Sequence, residues 1–191
     1  MFLLEYIKNP RYIGAIAPSG KYLAYRMIRE IDFENAKYII EYGPGTGAFT
    51  EKILSRVNNN TIVILIERNK EFCNSLNQLY GYKKNVIILN DGAENIDIIL
   101  KRYSISEVDY IVSGIPFASL PKDVSNRILL KTSDLLKNKG KFITFQYSLF
   151  KLKLFKKYFK KIKYSKVLLN FPPAYVLTCE EGSYEKKYIN S

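Results

Sequence analysis

Apolar and polar positions change period repeatedly along the chain. Residues 36–42, 61–66, 85–89, 108–113 and 141–147 are short, mostly apolar runs, the pattern of strands covered on both faces. Between them, residues 50–57, 69–80, 96–103 and 122–137 read as helices, and Gly140 just beyond the last is a stop signal. An earlier helix is expected over 21–31, capped by Ser19. Strands alternating with helices predict an α/β fold: a parallel sheet with helices on both faces.

After residue 147 the rhythm changes. Residues 164–169 and 174–179 read as strands joined by Asn170-Phe171-Pro172-Pro173. That connection is too short for a parallel crossover, so the two strands form an antiparallel pair. Within 151–163, Leu152, Phe155, Phe159 and Ile162 recur at helical spacing, and Lys153, Lys156, Lys157, Lys160 and Lys161 fill the rest of the wheel. Such a basic amphipathic helix either lies in a membrane interface or packs its apolar stripe on the sheet. No repeat or linker divides the chain. Residues 1–191 form one domain: an N-terminal helical lid or membrane-contact segment (1–35), a cofactor-binding core (36–147), and a basic segment with a terminal β-hairpin (148–191).

Charge adds a partner class. The 191 residues carry a formal net charge of +12, and eleven lysines fall between residues 135 and 179, without an arginine or an acid. A one-sided positive field suits nucleic acid or an anionic membrane. Histidine is absent, and Cys73 and Cys179 lack metal-ligand spacing. Zinc sites and histidine-based nucleophilic catalysis are therefore excluded, and both cysteines are expected in the core. No apolar stretch approaches the ~20 residues of a membrane span. Met1-Phe2-Leu3-Leu4-Glu5 lacks the basic leader of a signal peptide. The expectation is a cytoplasmic protein, peripheral to the inner face of the membrane, with Phe2, Leu3 and the five lysines of the wheel as contacts and no obligate protein partner.

Chemistry concentrates at the strand ends. Glu41-Tyr42-Gly43-Pro44-Gly45-Thr46-Gly47 closes the first strand, where glycines let backbone turn sharply and approach a ligand. Glu67 ends the second strand, placed to bind a ribose diol, and Asp91 follows the third, placed to accept from an adenine amino group. Gly43, Gly45 and Ala48 also satisfy a nicotinamide fingerprint.

Glu-x-Gly-x-Gly-x-Gly followed by Glu67 and Asp91 resembles the class I S-adenosylmethionine-dependent methyltransferases. The resemblance implies a Rossmann-like sheet, mostly parallel and seven-stranded with an antiparallel last strand. It implies S-adenosylmethionine as cofactor, S-adenosylhomocysteine as product, and no metal. Glu41, Gly43, Pro44, Gly45, Thr46, Gly47, Glu67, Arg68, Asp91, Gly92, Ala93 and Ser113 would hold the cofactor.

The fourth strand ends Ser113-Gly114-Ile115-Pro116-Phe117. In adenine-N6 methyltransferases of ribosomal RNA the matching motif is Asn-x-Pro-Tyr or Asn-x-Pro-Phe, whose Asn grips the amino group of a flipped base; here Gly114 stands in its place. A closer resemblance is to soluble-type bacterial phospholipid N-methyltransferases. It rests on Asn9-Pro10-Arg11-Tyr12-Ile13-Gly14-Ala15-Ile16-Ala17-Pro18-Ser19, on Ser113-Gly114-Ile115-Pro116, and on Asn170-Phe171-Pro172-Pro173-Ala174. That family methylates the amino headgroup of phosphatidylethanolamine stepwise. With histidine absent, the candidates to take up the amine hydrogens are a tyrosine, water, or the carbonyls of Gly114 and Ile115, the carbonyls with Tyr12 or Tyr147 being favoured; Ser19, Pro116 and Phe117 would touch the substrate. The alternatives are an rRNA adenine-N6 methyltransferase, a non-catalytic protein tethering nucleic acid or membrane, and a nicotinamide-dependent reductase.

Overall fold

The computed structural model describes residues 18–170 and 172–182. Seven strands form one sheet: β1 (Tyr38–Tyr42), β2 (Ile62–Ile66), β3 (Val86–Leu89), β4 (Val108–Ser113), β5 (Leu136–Gln146), β6 (Phe159–Val167) and β7 (Ala174–Gly182). Their order across the sheet is β3-β2-β1-β4-β5-β7-β6. The first five are parallel, and β7 lies antiparallel between β5 and β6. The terminal pair is thus antiparallel, as its short connection requires.

Helices α1 (Pro18–Ile28), α2 (Ala48–Leu54), α3 (Lys70–Tyr80), α4 (Ile96–Arg102), α5 (Lys122–Leu135) and the single turn α6 (Leu152–Phe155) cover the sheet. Alternation along the strands divides the core between the two faces. Ile40, Tyr42, Ile64, Ile111 and Phe142 pack with Ile96, Ile99, Leu100, Ile128, Leu129 and Phe155, so α4, α5 and α6 lie on one side. Ile39, Val63, Leu65, Val112 and Ile143 pack with Leu23, Met27, Ile28, Ile53 and Leu76, which puts α1, α2 and α3 on the other. Burial on both faces explains why the inner strands read as unbroken apolar runs.

Local signals set most boundaries. Asn69 caps α3, its side chain accepting from the N–H groups of Glu71 and Phe72. Helix α1 begins at Pro18, so Ser19 stands in its first turn and not at its cap. Helix α5 stops at Leu135, and Leu136 already pairs with Val108. The left-handed residue in that transition is Lys139, at φ 71°, and not Gly140.

The segment 151–163 departs furthest from its expected form. It is a four-residue helical turn followed by an edge strand, and not an amphipathic helix. The reason is aromatic packing. Phe155 and Phe159 are both fully buried, stacked on Phe142 at centroid distances of 6.4 and 5.6 Å. The chain must turn between them to put both rings against one partner. Lys160, Lys161, Lys163 and Lys166 are then exposed along β6, where charge discourages pairing with another sheet. Lys163 faces Glu180 of β7 at 3.7 Å. Among the described residues, no helix is long and apolar enough to cross a membrane.

Candidate functional site

The order of strands reverses between β1 and β4: the chain steps outward to β2 and β3 on one side, then to β4 and β5 on the other. At such a point the flanking loops splay apart, leaving a crevice at the carboxyl ends of the strands. The backbone ties that edge together. The N–H of Gly43 donates to the Ile66 carbonyl (2.9 Å) and that of Gly114 to the Tyr42 carbonyl (2.8 Å). The N–H of Glu67 donates to Leu89, and that of Asp91 to Glu67. The glycine turn, Glu67, Asp91 and the Ser113–Pro116 motif therefore share one rim.

In the glycine turn, Gly43, Gly45 and Gly47 all have positive φ, at 61°, 56° and 87°. A side chain at Gly45 would meet nothing within 4 Å, so this residue borders open space. Glu41 lies beneath the turn and is wholly buried. Its Oε2 accepts from Thr50 Oγ1 at 2.7 Å, while Oε1 has no protein partner. Burial, with a smaller contribution from the charge of Glu67, raises its pKa to about 8. Glu67 Oε2 accepts from the Gly45 N–H at 2.9 Å and its Oε1 from the Asn69 N–H at 2.7 Å, which locks the carboxylate against the turn. A carboxylate has about four acceptor positions, so two remain for hydroxyl groups.

Asp91 Oδ1 accepts from the N–H of Gly92 (2.7 Å) and from Asn95 Nδ2 (2.8 Å). Both bonds fall on one oxygen, and Oδ2 stays clear of them. Gly92 and Ala93 are buried behind it. Asn90 Nδ2 donates to the carbonyls of Glu67 and Arg68, joining β3 to the loop after β2. Arg68 reaches Glu94 at 3.2 Å, its own side chain mostly exposed. A buried acceptor without a partner, open space above Gly45 and two carboxylates with spare acceptor positions fit a cationic adenosyl ligand. Pro44 and Thr46 lie within the same turn, and Ser113 is fully buried, its Oγ accepting from the Ile115 N–H at 3.2 Å.

Beside the turn, Gly114, Ile115 and Pro116 are half-buried. The Ile115 carbonyl already accepts from the Phe117 N–H at 3.0 Å, leaving one lone pair. A Cβ on Gly114 would fall 2.6 Å from the Gly43 carbonyl oxygen, so only glycine fits there without a backbone shift. Tyr147 follows the end of β5 and packs edge-on to Phe145 at 5.5 Å. Phe117 corrects the expected substrate contact. It is fully buried and packs edge-on to Phe155 and Phe142 at 5.3 and 6.2 Å, which leaves no face for a substrate.

Several groups at this rim carry no motif. Thr50, Asn90, Asn95 and Gln146 look in the sequence like ordinary helix, loop and strand residues. Gln146, the last residue of β5, is 4% exposed, and its Nε2 has no partner. A glutamine closing the apolar run Phe142-Ile143-Thr144-Phe145 was the available signal for it. Of the other expected contacts, Lys153, Lys156, Lys157, Lys160 and Lys161 are exposed, but a turn and an edge strand present them. Phe2, Leu3 and Tyr12 lie outside the described residues, as does the side chain of Ser19.

The sequence profile described as ribosomal RNA adenine dimethylase matches residues 18–165. Over 181 residues the chain is 28% identical to the ornithine lipid N-methyltransferase of Singulisphaera acidiphila, a match that takes in 94% of each protein. Over 133 residues it is 31% identical to ribosomal RNA small subunit methyltransferase A of Mycoplasma mycoides subsp. mycoides. That match takes in 68% of this chain and 47% of the relative, so the chain spans about half of that relative's length. Among solved structures, 1,6-didemethyltoxoflavin-N1-methyltransferase of Burkholderia thailandensis superposes with a TM-score of 0.70 at 12% identity, over 95% of this chain and 86% of that one. That structure contains S-adenosylhomocysteine. Precorrin-6y C5,15-methyltransferase of Geobacter metallireducens superposes at 0.59 with 13% identity, over 84% and 87% of the two chains. At these identities the likeness is one of fold.

Proposed function

The chain belongs to the ribosomal RNA adenine dimethylase family and is an S-adenosylmethionine-dependent methyltransferase; from that premise we propose that its acceptor is the primary amine of a membrane lipid, with phosphatidylethanolamine as the expected substrate. The observation that carries the reading is Gly114. The Asn-x-Pro-Tyr or Asn-x-Pro-Phe motif of adenine-N6 methyltransferases puts a side-chain amide at this position, able to hydrogen-bond a flipped base. Here a Cβ would stand 2.6 Å from the Gly43 oxygen. Phe117, which would stack on the base, is instead locked in the core. The relative matched over nearly its whole length is named for lipid N-methylation.

When bound, the cofactor supplies a methyl group already activated by a sulfonium. The protein's part is to hold, align and desolvate. Glu41, Glu67, Asp91 and the glycine backbone would hold the adenosyl and methionyl parts. The lipid amine arrives as an ammonium and must give up a proton before its lone pair can attack. The carbonyl oxygens of Gly114 and Ile115 are acceptors at the rim that can orient amine N–H bonds, and the proton leaves to solvent water. We place the reaction at the inner face of the membrane, with the lysine-rich half of the chain toward anionic lipid.

The test uses the full chain with methyl-labelled S-adenosylmethionine and three acceptors in separate tubes: phosphatidylethanolamine vesicles, ornithine-lipid vesicles and unmodified ribosomal RNA. Label in phosphatidylethanolamine supports the proposal. Label in ornithine lipid alone keeps the lipid amine and overturns the expected headgroup. Label in RNA alone overturns the reading.

A further inference from the structure

The register of the last strands brings two turns together at the catalytic rim. β4 pairs Ser113 with Thr144 of β5, β5 pairs Gln146 with Tyr175 of β7, and β7 pairs Ala174 with Val167 of β6. The chain therefore leaves β5 and β6 at the same edge of the sheet, the edge where Gly114, Ile115 and Pro116 open. The first turn carries Phe150, 86% exposed. The second carries Leu168 and Leu169, 67% and 63% exposed. Beside Phe150 lies a hollow of about 550 Å³ lined by Leu149, Phe150, Leu152, Lys153 and Lys156. Lys153, Lys156 and Lys166 are exposed around these apolar tips, and no acid occurs between residues 135 and 179.

Large apolar side chains held out into solvent need a reason when they cluster. A phosphate backbone would use the lysines but has no use for two adjacent leucines. An anionic bilayer uses both. Apolar tips enter the boundary of the acyl chains, while lysines extend their ammonium groups to the phosphates. We propose that the turns carrying Phe150 and Leu168-Leu169, ringed by Lys153, Lys156 and Lys166, form the membrane-docking face, which seats the chain on an anionic bilayer with the Gly114–Pro116 opening turned toward the headgroups. The choice of partner rests on the lipid-amine reading. The docking face is built from turns of the sheet edge and needs no amphipathic helix.

The experiment compares the full chain with the Phe150→Ser, Leu168→Ser, Leu169→Ser variant. Vesicles of phosphatidylglycerol mixed with phosphatidylcholine serve as the probe, because neither lipid carries a methylatable amine. The wild-type chain should sediment with these vesicles, and the variant should bind roughly a hundredfold more weakly, given three large apolar side chains lost from the interface. Cofactor binding by calorimetry and methylation of phosphatidylethanolamine in detergent micelles should be unchanged, which shows that the variant is folded. Equal sedimentation of the two proteins overturns the docking face. So does a wild-type dimer that becomes a monomer in the variant, because the turns would then meet a second copy. A wild-type chain that ignores vesicles yet methylates micellar lipid overturns the docking face alone. A chain that neither binds vesicles nor methylates lipid amine overturns both readings.

Discussion

Glu41 combines full burial, one hydrogen bond from Thr50 and one oxygen without a partner. Burial raises its pKa from 4.5 to about 8. Below about pH 4.5 the carboxyl is protonated in both folded and unfolded chains and adds no pH dependence. As pH rises from there toward about 8, the unfolded chain ionises and the buried acid does not. Stability must then fall with rising pH through that window, by on the order of a few kcal/mol in total. Urea unfolding across the window should show this decline in the wild type and a much flatter profile in Glu41→Gln. A cationic ligand favours the ionised form, so cofactor binding near neutral pH should release a proton, seen in calorimetry as a dependence of the apparent enthalpy on the buffer. The release should vanish in Glu41→Gln; its persistence would put the coupling elsewhere. Gly45 tests the same site sterically. A β-branched residue there must adopt φ near 56° and project into the open space above the turn. Gly45→Val should cost about 1–2 kcal/mol in backbone strain while removing cofactor affinity. A variant that keeps normal affinity would displace the cofactor from this turn.

The elements differ in how openly the sequence declares them. β2 and β4 are flanked on both faces, so burial writes itself into every position and a continuous apolar run suffices to find them. Helix α3 is announced by Asn69, whose side chain does the capping its position suggests. The segment after β5 is not announced, because Phe155 and Phe159 lie four residues apart for a reason other than helicity. Both belong to one aromatic stack around Phe142, a partner distant in sequence. Spacing alone cannot separate a helical stripe from two rings that converge on a third. The carboxylates of the site were legible, because Glu41 stands in the last residues of the first strand and Glu67 and Asp91 follow the second and third. Their supports, Thr50 and Asn95, were not, since a threonine in a helix and an asparagine in a loop are ordinary until the fold sets them beside an acid. Gly114 belongs to this scale, because what excludes a side chain there is the neighbouring strand's turn. Gly114→Asn should lower stability by about 1–3 kcal/mol through the clash with the Gly43 carbonyl. It should reduce lipid methylation without conferring methylation of RNA. A thermal melt and the three-acceptor assay decide; a variant that gains RNA activity would show that one side chain separates the two chemistries and that the backbone tolerates it.

At the scale of the whole molecule, a net charge of +12 is gathered toward one end of the sequence, and that end forms the β5-β7-β6 side of the sheet. The cofactor crevice lies at the other half's junction, between β1 and β4, so binding of the cofactor and attraction to a polyanion are carried by different parts of one rigid sheet. The two contributions should separate with ionic strength. Electrostatic attraction at an exposed surface is screened within about 10 Å at 0.1 M salt, whereas burial of Phe150, Leu168 and Leu169 in a bilayer is not. Raising salt should therefore slow methylation of phosphatidylethanolamine in anionic vesicles by weakening encounter. It should leave a residual rate on vesicles, and it should barely change the rate on neutral micelles. Association with RNA would behave otherwise, its affinity falling steeply and continuously with the logarithm of salt concentration because each phosphate contact releases a counterion. Rates measured on the two lipid forms over a salt series decide the point. A micellar rate as salt-sensitive as the vesicle rate would mean that the lysines serve the chemistry at the crevice and not the approach to a surface.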